Sequence, residues 1–200
     1  MTAAAPLLLQ RRAVVRTLLR DRGDLLVVAG LGATAWDVAS VGDDPRDFPL
    51  WGAMGGAAMI GLGLALAQPT RTVLVLTGDG EMLMGLGSLA TLAAQRPRNL
   101  RVVVIDNEHY GETGKQRTHT ARGTDLAAVA LACGFPHART VRDEQGVAAL
   151  RDGIHARDEL FLAVVKVALT DDPLILPPRD GALLKHRMRG AILGPGAAFE

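Results

Sequence analysis

The chain has 200 residues and a formal net charge of +1, from 22 Lys and Arg against 21 Asp and Glu. That length suffices for one full hydrophobic core, no break in composition divides it, and the near-neutral balance lacks the electrostatic footprint of a nucleic-acid binder. The single Cys133 excludes an internal disulfide and any multi-cysteine metal or iron–sulfur site; within the apolar "ALACGF" it reads as a buried small residue, in keeping with a reducing, cytoplasmic compartment.

At the start, Leu7 to Leu9 is a short apolar run with no positive side chain before it and arginines after it, so it is not read as a secretory signal. A helix is predicted over 6–20, a strand over 25–29 and a helix over 33–40. "VGDDPRDFP" then reads as a short connection. The segment 51–67 carries five glycines and falls short of the roughly 20 apolar residues of a membrane span; a buried helix over 55–68 is predicted there. A strand over 72–76, a helix over 82–95, the turn "AQRPRN" and a strand over 102–105 follow, then helices over 124–133 and 144–155 and a strand over 161–169. Continuous apolar, β-branched strands alternating with helices predict an open parallel α/β sheet with helices on both faces. One domain over 1–170 is expected, with 171–200 a Pro-interrupted tail packing on that domain or on a partner.

Ligands of such sheets gather outside the carboxyl ends of the strands, and three segments fall at that edge. "AGLGATA", from Ala29, is compatible with a loose dinucleotide fingerprint, but no second strand ending in an acidic residue follows at the distance a nicotinamide ribose requires. Phosphate binding by a glycine loop and a tight turn alone both remain open. "TGDGEMLMG", from Thr77, places Asp79 at a strand-to-helix turn, where a carboxylate can cap the helix. The strand over 102–105 ends in "DNEHYGETGKQ", with Asn107 28 positions after Asp79. That interval holds a helix, a turn and a strand, so Asp79 and Asn107 emerge on the same edge from neighbouring strands. A hard cation such as Mg²⁺, which takes six oxygens and commonly combines few protein ligands with phosphate oxygens, suits the pair.

Gly78-Asp79-Gly80 followed by Asn107 resembles the cofactor motif of thiamine diphosphate-dependent 2-oxoacid decarboxylases and their relatives. The resemblance runs from about Leu25 to Leu169; with "GLGATAWD" and "NEHYGETGKQRT" it is nearest to the β-subunits of sulfopyruvate decarboxylases and the C-terminal halves of phosphonopyruvate decarboxylases. It implies that 1–170 is the diphosphate-binding domain, that Asp79 and Asn107 hold Mg²⁺ through side chains, and that His109 does so through its main-chain carbonyl. Backbone groups of Gly78, Gly80, Glu81 and Gly111, with the loop of Gly32 and Thr34, would receive the diphosphate. The Gly52 carbonyl would hold the aminopyrimidine, and Met54 would wedge under the thiazolium; in isolation, Met54 equally suits an irregular core gap. Thr113 and Gln116 become candidate substrate contacts. Lys115 stands where the family often has glycine, and Lys115, Arg117 and His119 read either as anion contacts or as a solvated loop.

The family's activating glutamate lies on a separate pyrimidine-binding domain, and none of Glu81, Glu108, Glu112, Glu144, Glu159 and Glu200 suits that role. The resemblance therefore implies half of an active site: the diphosphate-binding subunit of a two-chain, thiamine diphosphate- and Mg²⁺-dependent decarboxylase of a small 2-oxoacid, a cytoplasmic hetero-oligomer without nucleic-acid or membrane partners. A subunit of a carboligase or 2-oxoacid oxidoreductase, and a non-catalytic cofactor-binding scaffold, are the alternatives.

Overall fold

The computed structural model describes residues 8–156, 158–194 and 196–197. The chain runs α1 (Arg11–Leu18), β1 (Leu26–Ala29), α2 (Ala33–Ala39), β2 (Asp47–Pro49), α3 (Ala57–Ala67), β3 (Val73–Gly78), α4 (Asp79–Met84), α5 (Ser88–Gln95), β4 (Leu100–Asp106), β5 (His109–Tyr110), β6 (Gln116–Arg117), α6 (Leu126–Cys133), β7 (His137–Val141), α7 (Glu144–Ala156), β8 (Phe161–Lys166) and α8 (Gly181–Leu193). Six strands form one sheet in the order β2-β1-β3-β4-β8-β7, with every neighbouring pair parallel. The expected open α/β sheet is the observed one.

Two cores explain the uninterrupted apolar runs. Val73 and Val75 of β3 pack with α3, α5 and α6 on one face, whereas Leu74 and Leu76 pack with α1, α2 and α7 on the other. In β4, Val102 and Val104 join the first core and Val103 and Ile105 the second. Successive side chains point to opposite faces, so a strand covered on both sides needs an apolar residue at every position. Each Val or Leu fully buried in this way stabilises by about 1.5–3 kcal/mol.

Several elements depart from the sequence reading, among them α8 within the expected tail and the β5–β6 hairpin. β2 forms within the expected connection, and β7 forms at 137–141, where no strand was expected. Both are edge strands, and the half-exposed pattern of β7 carries no apolar run to betray it. The helix expected over 82–95 is two helices: α4 ends at Met84, with Gly85 as its cap, and α5 starts at Ser88. The cause is a backbone crossing, because a Cβ at Gly85 would collide with the Gly55 carbonyl oxygen. Cys133, expected buried, is half-buried at the end of α6. The first two residues of the helix expected over 6–20 lie outside the described residues, as do Arg157, Pro195 and 198–200.

After β8 the chain runs without regular structure from 171 to 180 and then forms α8, whose start is capped by the Asp180 carboxylate accepting from the Ala182 and Leu183 amides. Leu184 and Met188 are buried, α8 packs on β2, and the Trp51 indole donates to the Pro178 carbonyl at 2.8 Å. Among the described residues no helix is long and apolar enough to cross a membrane.

From β1 the chain passes outward to β2 and returns to β3 on the other side of β1. The carboxyl ends of β1 and β3 therefore flank the topological switch point, where ligands of open α/β sheets bind.

Candidate functional site

A cleft of about 460 Å³ opens at this switch point. Its lining includes Gly32, Thr34, Met54, Gly78, Asp79, Gly80, Glu81, Asn107, His109, Gly111 and Thr113. Gly52 and Gln116 are exposed and do not line it. Thus the β1–α2 loop, the entry to α3, the β3–α4 turn and the segment after β4 converge, although 79 positions separate Gly32 from Gly111.

Asp79 does not cap α4. Gly78 holds the cap position without a side-chain bond, and Asp79 is the first helical residue, 2% exposed. Its Oδ2 accepts from the Thr118 hydroxyl at 2.6 Å and lies 3.4 Å from Thr120 Oγ1. Burial raises the Asp79 carboxyl to about 6, opposed by the Thr118 bond and reinforced by the nearby Asp106 charge. Thr118 and Thr120 are 2.9 Å apart, and Thr120 donates to Asp106 Oδ1 at 2.9 Å. Asp106 is in turn paired with Lys166, 2.7 Å from its Oδ2, and the same ammonium meets Glu108 Oε1 at 2.7 Å.

Asn107 and His109 follow as a local turn: the Asn107 Oδ1 accepts from the His109 amide at 2.9 Å, and the His109 ring Nδ1 lies 2.8 Å from the Asn107 carbonyl. Glu108 between them has φ +64°, and Ala53, just before Met54, has φ +57°. Both are left-handed conformations unfavourable for residues with a Cβ, of the kind concentrated at functional sites. The Met54 methyl lies over Gly80, 3.7 Å from where a Cβ there would sit, while the Tyr110 ring would meet the same Cβ at 2.6 Å. Only glycine fits beneath these two side chains. Met54 is 38% exposed, so it does not fill a core gap.

Glu81 has a part that the sequence did not disclose. Its carboxylate is buried in the cleft wall, accepts from the Thr77 hydroxyl at 2.8 Å and the Ala57 amide at 3.3 Å, and occupies the space a Cβ on Gly30 would take. One side chain thus ties β3, the start of α3 and the β1–α2 loop together. Burial raises its pKa. The Thr118–Thr120–Asp106–Lys166 chain was likewise missed; the only signal was a pair of threonines two residues apart, a spacing with no motif attached. Lys115, at φ +59°, reaches across the cleft mouth to Asp171 at 2.6 Å. Thr113 and Gln116 bond to each other at 3.0 Å, and Arg117 and His119 are exposed and outside the cleft.

The donor set fits a hard cation beside a diphosphate. It offers a buried carboxylate that takes the Thr118 hydroxyl on one oxygen, an amide oxygen and a nearby main-chain carbonyl, all oxygen ligands of the kind Mg²⁺ prefers. Gly78 and Gly111 face open space, so backbone there is accessible to an anion. The exposed Glu112 carboxylate rests against Gly32, where a Cβ would meet it at 2.7 Å. Among the described residues no group of three or more His, Cys, Asp or Glu stands together as a metal cluster.

Such a fold and cleft define a domain that binds a phosphorylated cofactor at the carboxyl edge of a parallel sheet. Residues 33–165 match the family described as thiamine pyrophosphate enzyme, C-terminal TPP binding domain, and the chain belongs to that family. It is 51% identical over 112 residues to sulfopyruvate decarboxylase subunit beta of Methanothermobacter thermautotrophicus, covering 56% of this chain and 60% of that protein's length. It is 35% identical over 190 residues to sulfopyruvate decarboxylase subunit beta of Methanococcus maripaludis, covering 92% of this chain and 98% of that one. A solved structure of a putative thiamin diphosphate-dependent enzyme from Mycobacterium smegmatis superposes with a TM-score of 0.68 at 23% identity, over 81% of this chain and 32% of that one, and speaks for the fold alone.

Proposed function

We propose that this chain is the diphosphate-binding subunit of a two-chain, thiamine diphosphate- and Mg²⁺-dependent decarboxylase of a small 2-oxoacid, sulfopyruvate or phosphonopyruvate being the leading candidates, working in the cytoplasm. Residues 1–170 would form the diphosphate-binding domain and 171–200 a tail packed on it or on a partner. The observation that carries the reading is the cleft itself, in which Asp79, Asn107 and His109 stand together at the ends of the adjacent strands β3 and β4.

Asp79, Asn107 and the His109 carbonyl would hold the metal. Backbone groups at Gly32, Gly78, Gly80 and Gly111 would receive the diphosphate. Thiamine diphosphate, when bound, supplies the nucleophile and the electron sink for loss of CO₂. Met54, standing over Gly80 at the rim, would fix the cofactor's shape from below. Thr113, which lines the cleft, and Lys115, whose ammonium sits at its mouth, would face a substrate anion.

No glutamate of the described chain is placed to protonate a pyrimidine. Glu81 is bound to Thr77, Glu108 is bound to Lys166, and Glu112 rests against the glycine loop. Glu144 opens α7 and Glu159 pairs with His137, both away from the cleft; Glu200 lies outside the described residues. A second chain carrying that glutamate would complete the site. Purified alone with cofactor, Mg²⁺ and a panel of 2-oxoacids, this chain should release no CO₂, whereas the two chains together should release it from one of the panel. Robust turnover by a preparation verified free of any partner would overturn the reading.

A further inference from the structure

Four side chains outside the expected ligand set form a continuous line beneath Asp79. Thr118 is fully buried, Thr120 is 7% exposed and Asp106 is 1% exposed. The line starts from Lys166 at the end of β8, crosses to Asp106 at the end of β4, passes to Thr120 and Thr118 in the segment after β6, and ends on Asp79 Oδ2. Every step is 2.9 Å or shorter. We propose that Thr118 is a positioning residue for the metal, with Thr120 held by Asp106 and Lys166 and seated against it: the Thr118 hydroxyl fixes the Asp79 carboxylate by occupying Oδ2 and so directs Oδ1 to the cation. This rests on the reading of Asp79 as a metal ligand.

The physical reason is directional. A carboxylate on the first turn of a six-residue helix can rotate about its side-chain torsions, and each orientation presents a different oxygen to the cleft. A hydroxyl bond to one oxygen selects a single rotamer, and a hydrogen bond to a charged acceptor is worth roughly twice a neutral one. The Thr118 hydroxyl takes Oδ2, and Thr120, whose one proton goes to Asp106, stands 3.4 Å from the same oxygen, so neither competes with a cation for Oδ1. Partners that orient metal ligands typically carry about 10- to 100-fold in metal affinity. Asp106 does not itself line the cleft; its part is to hold Thr120, with Lys166 balancing its charge. The backbone supports the same geometry, since the Thr118 amide donates to the Glu108 carbonyl at 2.9 Å, tying the line to the turn that carries Asn107 and His109.

The test uses the assembled two-chain protein and titrates Mg²⁺ at fixed thiamine diphosphate, following cofactor binding by calorimetry. Thr118→Val should raise the Mg²⁺ midpoint by about 10- to 100-fold, with cofactor affinity near that of the unmodified protein once Mg²⁺ is saturating. Thr118→Ser keeps the hydroxyl and should restore the midpoint. Asp79→Asn is the reference and should abolish the Mg²⁺ dependence of cofactor binding. If Asp79→Asn abolishes it while Thr118→Val leaves the midpoint unchanged, the positioning role is overturned and the metal reading stands. If Asp79→Asn leaves the dependence intact, the metal reading falls and this proposal with it. Should Thr118→Val not fold, Thr120→Val and Thr118→Ser decide: a midpoint unmoved by Thr120→Val, or a Ser variant as impaired as a folded Asp79→Asn, overturns the proposal.

Discussion

Met54 separates a shaping role from a packing one at the scale of a single residue. Its 38% exposure and its seat over Gly80 place it outside both cores, so shortening it should cost well below the roughly 2–5 kcal/mol of a core Met→Ala change. Met54→Ala should therefore lower the melting temperature only slightly, while slowing proton exchange at the thiazolium carbon of bound cofactor in the assembled enzyme on the order of tenfold, equivalent to about 1.4 kcal/mol. Met54→Leu should behave like the unmodified chain. Exchange untouched by the alanine, with a sharp fall in melting temperature, would return Met54 to the core. The residues that sequence alone made legible here are those whose chemistry is carried by type and spacing: the Asp79 carboxylate, the Asn107 amide and the glycines that admit close neighbours. Glu81 was visible as a backbone donor only, because its buried side-chain role depends on Gly30, 51 positions away, and Gln116, a candidate substrate contact, is exposed beside the cleft-lining Thr113 to which it bonds.

Among the elements, α1, α2 and the strap after β8 are joined by one buried cluster. The Asp37 carboxylate, on α2, lies 3.2 Å from Arg12 Nε and 3.5 Å from Arg11 Nη1, and Arg11 also meets Asp172 at 3.0 Å. At 3.5 Å the Arg11 contact is an ion pair without a hydrogen bond, and Asp37 Oδ2 has no hydrogen-bond partner. Burial consequently outweighs the two guanidinium charges and raises the Asp37 pKa to about 6. A carboxyl whose folded pKa lies above its unfolded value of 3.8 binds its proton more tightly when folded, so stability falls as pH rises between those values and is flat above them. Asp37→Asn cannot titrate. Hence the melting temperature of the unmodified chain, relative to that variant, should rise as pH is lowered from about 7 to about 4, each tenfold difference in proton affinity between the folded and unfolded carboxyl being worth about 1.4 kcal/mol. A gap independent of pH would show that the arginines hold Asp37 ionised throughout. This level is also where the sequence was hardest to read. The double-covered strands announced themselves, whereas β7 is an edge without an apolar run, β2 contains only three residues, and α8 was hidden among prolines despite Asp180 standing at its start as a cap.

For the whole molecule, the consequence of a one-walled cleft is linkage. In the proposed reading the β1–α2, β3–α4 and β4–β5 segments of this chain would supply contacts to one end of the cofactor, while Met54, 38% exposed at the cleft, would stand open where the pyrimidine would lie. Affinity for thiamine diphosphate with Mg²⁺ should thus be weak for this chain alone and rise when the proposed second chain closes the other wall. Any factor by which the partner tightens cofactor binding is the factor by which cofactor must tighten the association of the chains. Couplings of this kind typically span about 5- to 150-fold, and a site built from two halves belongs toward the upper end. The check is a closed thermodynamic square, with calorimetry of cofactor binding to the lone chain and to the assembled protein, and of chain association with and without cofactor and Mg²⁺. Equal cofactor affinity for the lone and assembled chain would place the whole binding site within these 200 residues and remove the reason for a partner at the cleft; a coupling confined to saturating Mg²⁺ would locate its origin at Asp79 and Asn107, where metal and diphosphate meet.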